Sequence, residues 1–184
     1  PHVAVDPESV KVFQREIDLT RQLNHPNVVR LIEHGKAEGT FYFVLEYVDG
    51  MDLGHLLDSK QGPLSLEEAA PIMVGTLAGL EHAHRAAITM QPATGREQTF
   101  TGVVHRDLKP QNILLTYREN KWLAKVTDFG ISKHFEAAGM TNMTSPGEVL
   151  GTPMYWPREQ ITHYRYLHPA TDVFSAAAVF YEML

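Results

Sequence analysis

His105-Arg106-Asp107-Leu108-Lys109-Pro110-Gln111-Asn112, followed sixteen residues after its Asn by Asp128-Phe129-Gly130, decides how this chain is read. The two stretches supply two carboxylates, a Lys and an Asn at separations that let one site hold a hydroxyl nucleophile, a transferring phosphoryl group and metal ions. In-line phosphoryl transfer needs positioning and charge neutralisation more than covalent chemistry. An Asp accepts the hydroxyl proton, while a second Asp and an Asn, both hard oxygen ligands, suit Mg²⁺ bridging the phosphates. The bland alternative is a solvated polar loop that happens to contain H-R-D. The order and context of the two motifs argue against it.

Working outward, Ile113 to Leu115 and Trp122 to Val126 read as short strands around the polar turn Arg118-Glu119-Asn120. Upstream, Ile88 to Thr101 has no clear period, contains Pro92 and Gly95, and reads as a loop. Ser65-Leu66-Glu67-Glu68 is a capping box, and the helix behind it carries Ala69, Ile72, Met73, Leu77, Leu80 and His84 on one face. Pro71 falls in its second turn, where a missing N–H carries a cost.

Nearer the start, Val28 to Ile32 and Phe41 to Val48 read as a hairpin closed off by Asp49-Gly50. Asp6-Pro7-Glu8 is a good helix start, with Val10, Phe13, Ile17 and Leu23 at roughly helical spacing and a stop before His25-Pro26-Asn27. Downstream, Ile131 to Leu150 is rich in Gly, Thr, Ser and Met and reads as a mobile loop. Asp172 to Leu184 is apolar on nearly all sides, as a helix buried in a larger body would be.

The 184 residues, 43% hydrophobic and 21% charged, describe a globular domain with a sizeable core. A formal net charge of −6 argues against nucleic acid or an anionic membrane as the main partner. Cysteine is absent, which excludes a disulfide scaffold and a Cys-based zinc site. No run of eighteen apolar residues and no signal peptide appear in this sequence; the location expected of such a domain is cytoplasmic, with tethering to a membrane outside this segment left open. His82 and His84 stand two apart, on different faces of a helix, and no H-E-x-x-H occurs.

Taken together, the order of motifs resembles a eukaryotic-like serine/threonine protein kinase of bacterial type. The resemblance implies a two-lobed α+β fold, truncated at both ends. Residues 1–48 would be the remainder of the small lobe and the hinge, and residues 49–184 part of the large lobe. It implies ATP and Mg²⁺ as cofactors and Ser/Thr-bearing proteins as substrates, with no nucleic acid partner and no membrane contact within this segment. Phe13-Gln14-Arg15-Glu16-Ile17 looks like the mobile small-lobe helix, with Glu16 the acid that pairs with a strand Lys. That Lys is not in this sequence.

Leu45-Glu46-Tyr47-Val48-Asp49-Gly50 resembles the hinge. Adenine would bond backbone groups of Glu46 and Val48, with Leu45 as gatekeeper, Asp52 reaching the ribose and Leu114 closing the pocket floor. In the catalytic loop Asp107 would be the base and Asn112 a metal ligand. Lys109, two positions after the Asp, marks Ser/Thr specificity in the family. Arg106 implies control through the activation loop, with Thr141, Thr144 and Ser145 as phosphorylation sites. Asp128 would bind Mg²⁺, and Phe129 would pack under the Glu16 helix. Thr152 would bond Asp107 and Lys109, Glu159 closes the segment in a Pro157-Arg158-Glu159 variant of A-P-E, and Asp172 would brace the catalytic loop.

The family has a very short turn where Ala87 to Thr101 adds about fifteen residues, most simply a tolerated surface insertion. Two other readings stay open. A pseudokinase or regulatory scaffold would be expected to have lost Asp107, Lys109, Asn112 or Asp128. A small-molecule phosphotransferase would lack the long segment ending in Gly151-Thr152-Pro153 and Glu159.

Overall fold

A computed structural model describes Ile17 and residues 20–37, 40–60, 62–90, 98–129, 153–162 and 168–184. The expected helix start at Asp6 and the expected mobile loop lie outside the described residues. Ile17, Thr20 and Arg21 are helical, with Ile17 buried.

Strands β1 (Leu31–Ala37) and β2 (Thr40–Leu45) form an antiparallel hairpin, with Leu31 opposite Leu45 and a bulge before Glu33. The hairpin begins three residues later than the β-branched run at Val28 suggests. Val28 and Val29 are taken by another strand: Val29 N–H donates to the Val126 carbonyl at 2.9 Å, and Val126 N–H to the Asn27 carbonyl at 2.9 Å. A backbone can satisfy only one such ladder on each edge.

The second sheet has the order β3 (Met51–Asp52), β6 (Ile113–Arg118), β7 (Lys121–Val126), all antiparallel. Glu119 and Asn120 both take positive φ, 50° and 60°, the two-residue turn that matches strand twist. Ladder pairing extends both strands past their apolar runs, to Arg118 and Lys121. Ile113, Leu115, Ala124 and Val126 alternate into the core.

Helix α1 (Leu53–Ser59) is capped by Asp52, and helix α2 (Leu66–Arg85) by the capping box of Ser65 and Glu68. Glu68 also receives Lys60 Nζ at 2.6 and 2.7 Å. These contacts hold its carboxyl down at about 2, the Lys60 hydrogen bond contributing most. Ala69, Ile72, Met73, Thr76, Gly79, Leu80 and Ala83 form the buried stripe of α2. Leu77, expected on that stripe, is instead 41% exposed, because the stripe turns through Thr76 and Gly79. Gly79 is required there: a Cβ would stand 2.5 Å from the Asn27 carbonyl oxygen.

The segment read as a loop is partly a hairpin, β4 (Ala87–Met90) with β5 (Gln98–Thr101), with Ile88 opposite Phe100 and Thr89 opposite Thr99. The strands are too short to show a period in the sequence. Gly102, at φ 83°, closes it by donating to the Ala86 carbonyl at 2.9 Å.

Two helices complete the described chain, α3 (Arg158–Thr162) and α4 (Pro169–Met183), the latter starting at Pro169 in the first helical position. Thr171, Asp172, Ser175, Ala176, Val179 and Met183 are buried. Val173, Phe174 and Tyr181 on its other side are exposed, so one face of α4 is covered by the described residues.

Candidate active site

The β6–β7 hairpin brings the two quoted motifs together. Ile113 pairs with Val126, so the residues just before β6 and just after β7 must be neighbours. Thr127 N–H donates to the Asn112 carbonyl at 3.0 Å, which sets Asp128 beside the loop of Asp107, Lys109 and Asn112.

Asp107 is 6% exposed. Its N–H donates to His105 Nδ1 at 3.2 Å, its carbonyl accepts the Asn112 amide at 2.8 Å, and Lys109 Nζ lies 3.3 Å from Oδ2. The Asn112 amide nitrogen is therefore committed to the loop, and its Oδ1 is the atom left for a ligand. A 3₁₀ turn, Pro110–Asn112, carries Asn112 back under Lys109, donating N–H to the Lys109 carbonyl at 2.9 Å.

His105 is fully buried. Its Nε2 lies 2.8 Å from the Thr127 carbonyl, to which it donates, and its Nδ1 lies 3.2 Å from the Asp107 N–H. The ring meets Phe129 with centroids 4.8 Å apart, and Phe129 is 2% exposed in the core. Of the helix expected above Phe129, Glu16 lies outside the described residues.

Asp172, in the first turn of α4, is wholly buried. It accepts His105 N–H at 2.7 Å, Arg106 N–H at 2.9 Å and His84 Nε2 at 2.7 Å. Three donors and a helix N-terminus stabilise that buried carboxylate. The His84 contact was not legible in the sequence, where His84 is merely the last polar residue on the α2 face. Arg106 takes φ 68°, and its carbonyl accepts Gln160 Nε2 at 2.6 Å. Gln160 is the buried residue of α3, whereas its neighbour Glu159 is exposed and stands outside this network.

Asp128 also takes φ 60°. Burial pushes its carboxyl up, and the Asp107 charge adds to this against the opposing pull of His105 and Lys109. A desolvated carboxylate beside a second one calls for a cation. Asp128 and Asn112 Oδ1 are hard oxygen atoms of the kind Mg²⁺ takes. Among the described residues no three His, Cys, Asp or Glu side chains cluster as metal ligands. His82 stacks on His25, centroids 4.9 Å apart.

Leu45 ends β2 and Glu46 follows it. The Glu46 N–H donates to the Arg30 carbonyl at 2.8 Å, so its own carbonyl is the group left to face a ligand. Burial opposes ionisation of the Glu46 side chain, but Lys125, at 2.7 and 3.0 Å, and the Arg30 N–H hold its carboxyl below the usual range. Val48 is half-buried. Asp52 pairs with Leu114 across β3 and β6, and Leu114 faces away from the buried Ile113 and Leu115. Asp52 Oδ1 accepts His55 N–H at 2.9 Å as the cap of α1, which leaves Oδ2 for a ligand. Thr141, Thr144, Ser145 and Thr152 lie outside the described residues.

A family model described as the protein kinase domain matches residues 2–184. The chain belongs to the protein kinase family. Its relatives include the serine/threonine-protein kinases pkn3 of Myxococcus xanthus, 34% identical over 97% of this chain, and PrkC of Bacillus subtilis, 34% identical over 98%. PknA of Mycobacterium tuberculosis is 37% identical over 96% of it. The chain spans 30%, 24% and 37% of the lengths of these three relatives. The fold matches a double mutant of the Mycobacterium tuberculosis PknI kinase domain with a TM-score of 0.68 at 21% identity, covering 100% of this chain and 58% of that one.

Proposed function

We propose that this domain transfers the γ-phosphoryl group of ATP to Ser or Thr hydroxyls of protein substrates. The observation that carries the reading is the junction of Asp107, Lys109, Asn112 and Asp128 at the β6–β7 hairpin, held from below by His105 and Asp172. Family membership with bacterial Ser/Thr kinases supports it. Residues 1–48 act as the small lobe and hinge, and residues 49–184 as part of the large lobe.

In this reading the adenine rests on the Glu46 carbonyl and the Val48 N–H, beside Leu45, above Leu114, with Asp52 Oδ2 toward the ribose. Asp107 takes the proton from the substrate hydroxyl as its oxygen bonds to the γ-phosphorus and the bond to the β-phosphate oxygen breaks. Lys109 neutralises charge gathering on the transferring group. Asp128 and Asn112 hold Mg²⁺, which when bound neutralises the phosphates. Glu16 is the acid that would pair with a strand Lys, a residue not in this sequence. Phosphate on Thr141, Thr144 or Ser145 pairs with the Arg106 region and orders the segment that Thr152 and Glu159 close. The Glu159 role lies in substrate-groove geometry, apart from the catalytic network.

The charge of −6 argues against a nucleic acid partner, and no helix among the described residues is long and apolar enough to cross a membrane. The reading places this segment in the cytoplasm.

The test is phosphate transfer from ATP by Asp107→Asn and Asp128→Asn forms of the full-length protein that remain folded. Each should lose about 10²- to 10⁴-fold in rate. Near-normal activity in either sinks the assignment.

A further inference from the structure

The Lys125–Glu46 ion pair has no part in the chemistry just described. Lys125 Nζ donates to both Glu46 carboxylate oxygens, at 2.7 and 3.0 Å, and the two side chains are only 21% and 32% exposed. Lys125 stands on β7, three residues before Asp128. Glu46 immediately follows β2.

Between them runs the segment 27–30. On one edge Val126 exchanges hydrogen bonds with Asn27 and Val29, each 2.9 Å. Beyond it, Glu46 N–H donates to the Arg30 carbonyl at 2.8 Å, and Arg30 N–H donates to Glu46 Oε2 at 3.2 Å. A continuous ladder thus links β7 to the end of β2, and the ion pair spans it directly. The alternation of β7 sends Ala124 and Val126 into the core and Lys125 outward. A Lys there would ordinarily reach into water, and here both of its Glu46 bonds are charge-assisted.

We propose that Lys125 is a positioning residue for the nucleotide, fixing the hinge at Glu46 relative to Asp128. The inference rests on reading residues 45–48 as the adenine-binding hinge and Asp128 as the holder of the phosphate end. Both ends of one ligand are then held by groups on a single rigid connection. Neither the Lys125 side chain nor the Glu46 side chain touches ATP. Cutting the pair leaves the half-buried carboxylate with the Arg30 N–H alone and loosens residues 46–48, which weakens nucleotide binding. Asp107, Lys109 and Asn112 stay in place, since His105 and Asp172 hold them independently.

The experiment measures KM for ATP, kcat, and calorimetric affinity for a non-hydrolysable ATP analogue on the full-length protein. Lys125→Met keeps the apolar stem and removes the charge. It should raise KM and the analogue Kd about three- to tenfold, the scale of one ordinary hydrogen bond, because both side chains are partly exposed and solvent screens the charge. kcat should stay within about twofold, marking lost ground-state binding. Lys125→Arg should restore most of the affinity, and the charge-reversed pair Lys125→Glu with Glu46→Lys should bind better than Lys125→Glu alone. An unchanged KM in Lys125→Met, a fall in kcat at constant KM, or no rescue by Lys125→Arg overturns the tether while the kinase reading stands. A wild-type protein that binds no ATP analogue overturns the hinge reading and the tether with it.

Discussion

Asp172→Ala should be among the most damaging single changes in this domain, although the residue touches no substrate. Its carboxylate is wholly buried and takes the main-chain N–H groups of His105 and Arg106, at 2.7 and 2.9 Å, together with His84 Nε2 at 2.7 Å. Alanine leaves both main-chain donors without an acceptor. Each such loss costs about 1–3 kcal/mol, so the pair costs about 2–6 kcal/mol. That is a large part of the roughly 5–15 kcal/mol that separates folded from unfolded states. His84 adds little, because its side chain is 12% exposed and reaches the edge of solvent.

The same carboxylate helps hold Arg106 at φ 68°, which a bulky side chain avoids. Without it the loop relaxes and Asp107 drifts. Asp172→Asn keeps one carbonyl oxygen but turns its NH₂ toward the second donor, so it should cost about half as much, about 1–3 kcal/mol. At about 2–4 °C per kcal/mol for a domain of this size, the Asn variant should melt about 2–12 °C lower, and the Ala variant lower still. Thermal unfolding, with amide exchange at Arg106 and Asp107, reads this order. Ala and Asn variants that both melt within about 1 °C of wild type would refute the reasoning. So would a His84→Ala variant more damaged than Asp172→Ala, since the main-chain donors would then not be the ones that matter.

Gly79→Ala adds a Cβ 2.5 Å from the Asn27 carbonyl oxygen. Helix propensity returns about 1 kcal/mol, but overpacking against backbone costs about 1–3, so the melting temperature should fall, and a rise would mean that residues 25–27 shift freely. Glu68, held at about 2 against an ordinary 4.5, contributes stability that is present above pH 4.5 and lost as pH falls toward 2. Glu68→Ala should therefore melt lower than wild type at pH 7, with the gap closing in acid; a gap independent of pH contradicts the Lys60 contact. Replacing Thr141, Thr144 and Ser145 together by Ala should lower phosphotransfer by the full-length enzyme, and mass spectrometry of active enzyme should find phosphate on that segment. Full activity in the triple variant would move control elsewhere.

The sequence by itself determined the family, the α+β class and the residue types at the site. Local rules suffice for this. A capping box names its own helix start at Ser65, alternating apolar residues name β6 and β7, and the spacing of Asp107, Asn112 and Asp128 states which donors a hairpin can bring together. Side chains that act through long-range partners were decided only by the tertiary structure. Nothing near His84 in the chain announces Asp172, eighty-eight residues away. Gln160 rather than Glu159 turns inward because α3 presents that face to the Arg106 carbonyl. Lys125 and Glu46 meet because residues 27–30 lie between their strands, the same pairing that withdraws Val28 and Val29 from the β1–β2 hairpin. The hairpin at Ala87–Thr101 escaped periodicity for a related reason: two four-residue strands are stable only as a pair, and pairing is a property of the folded chain.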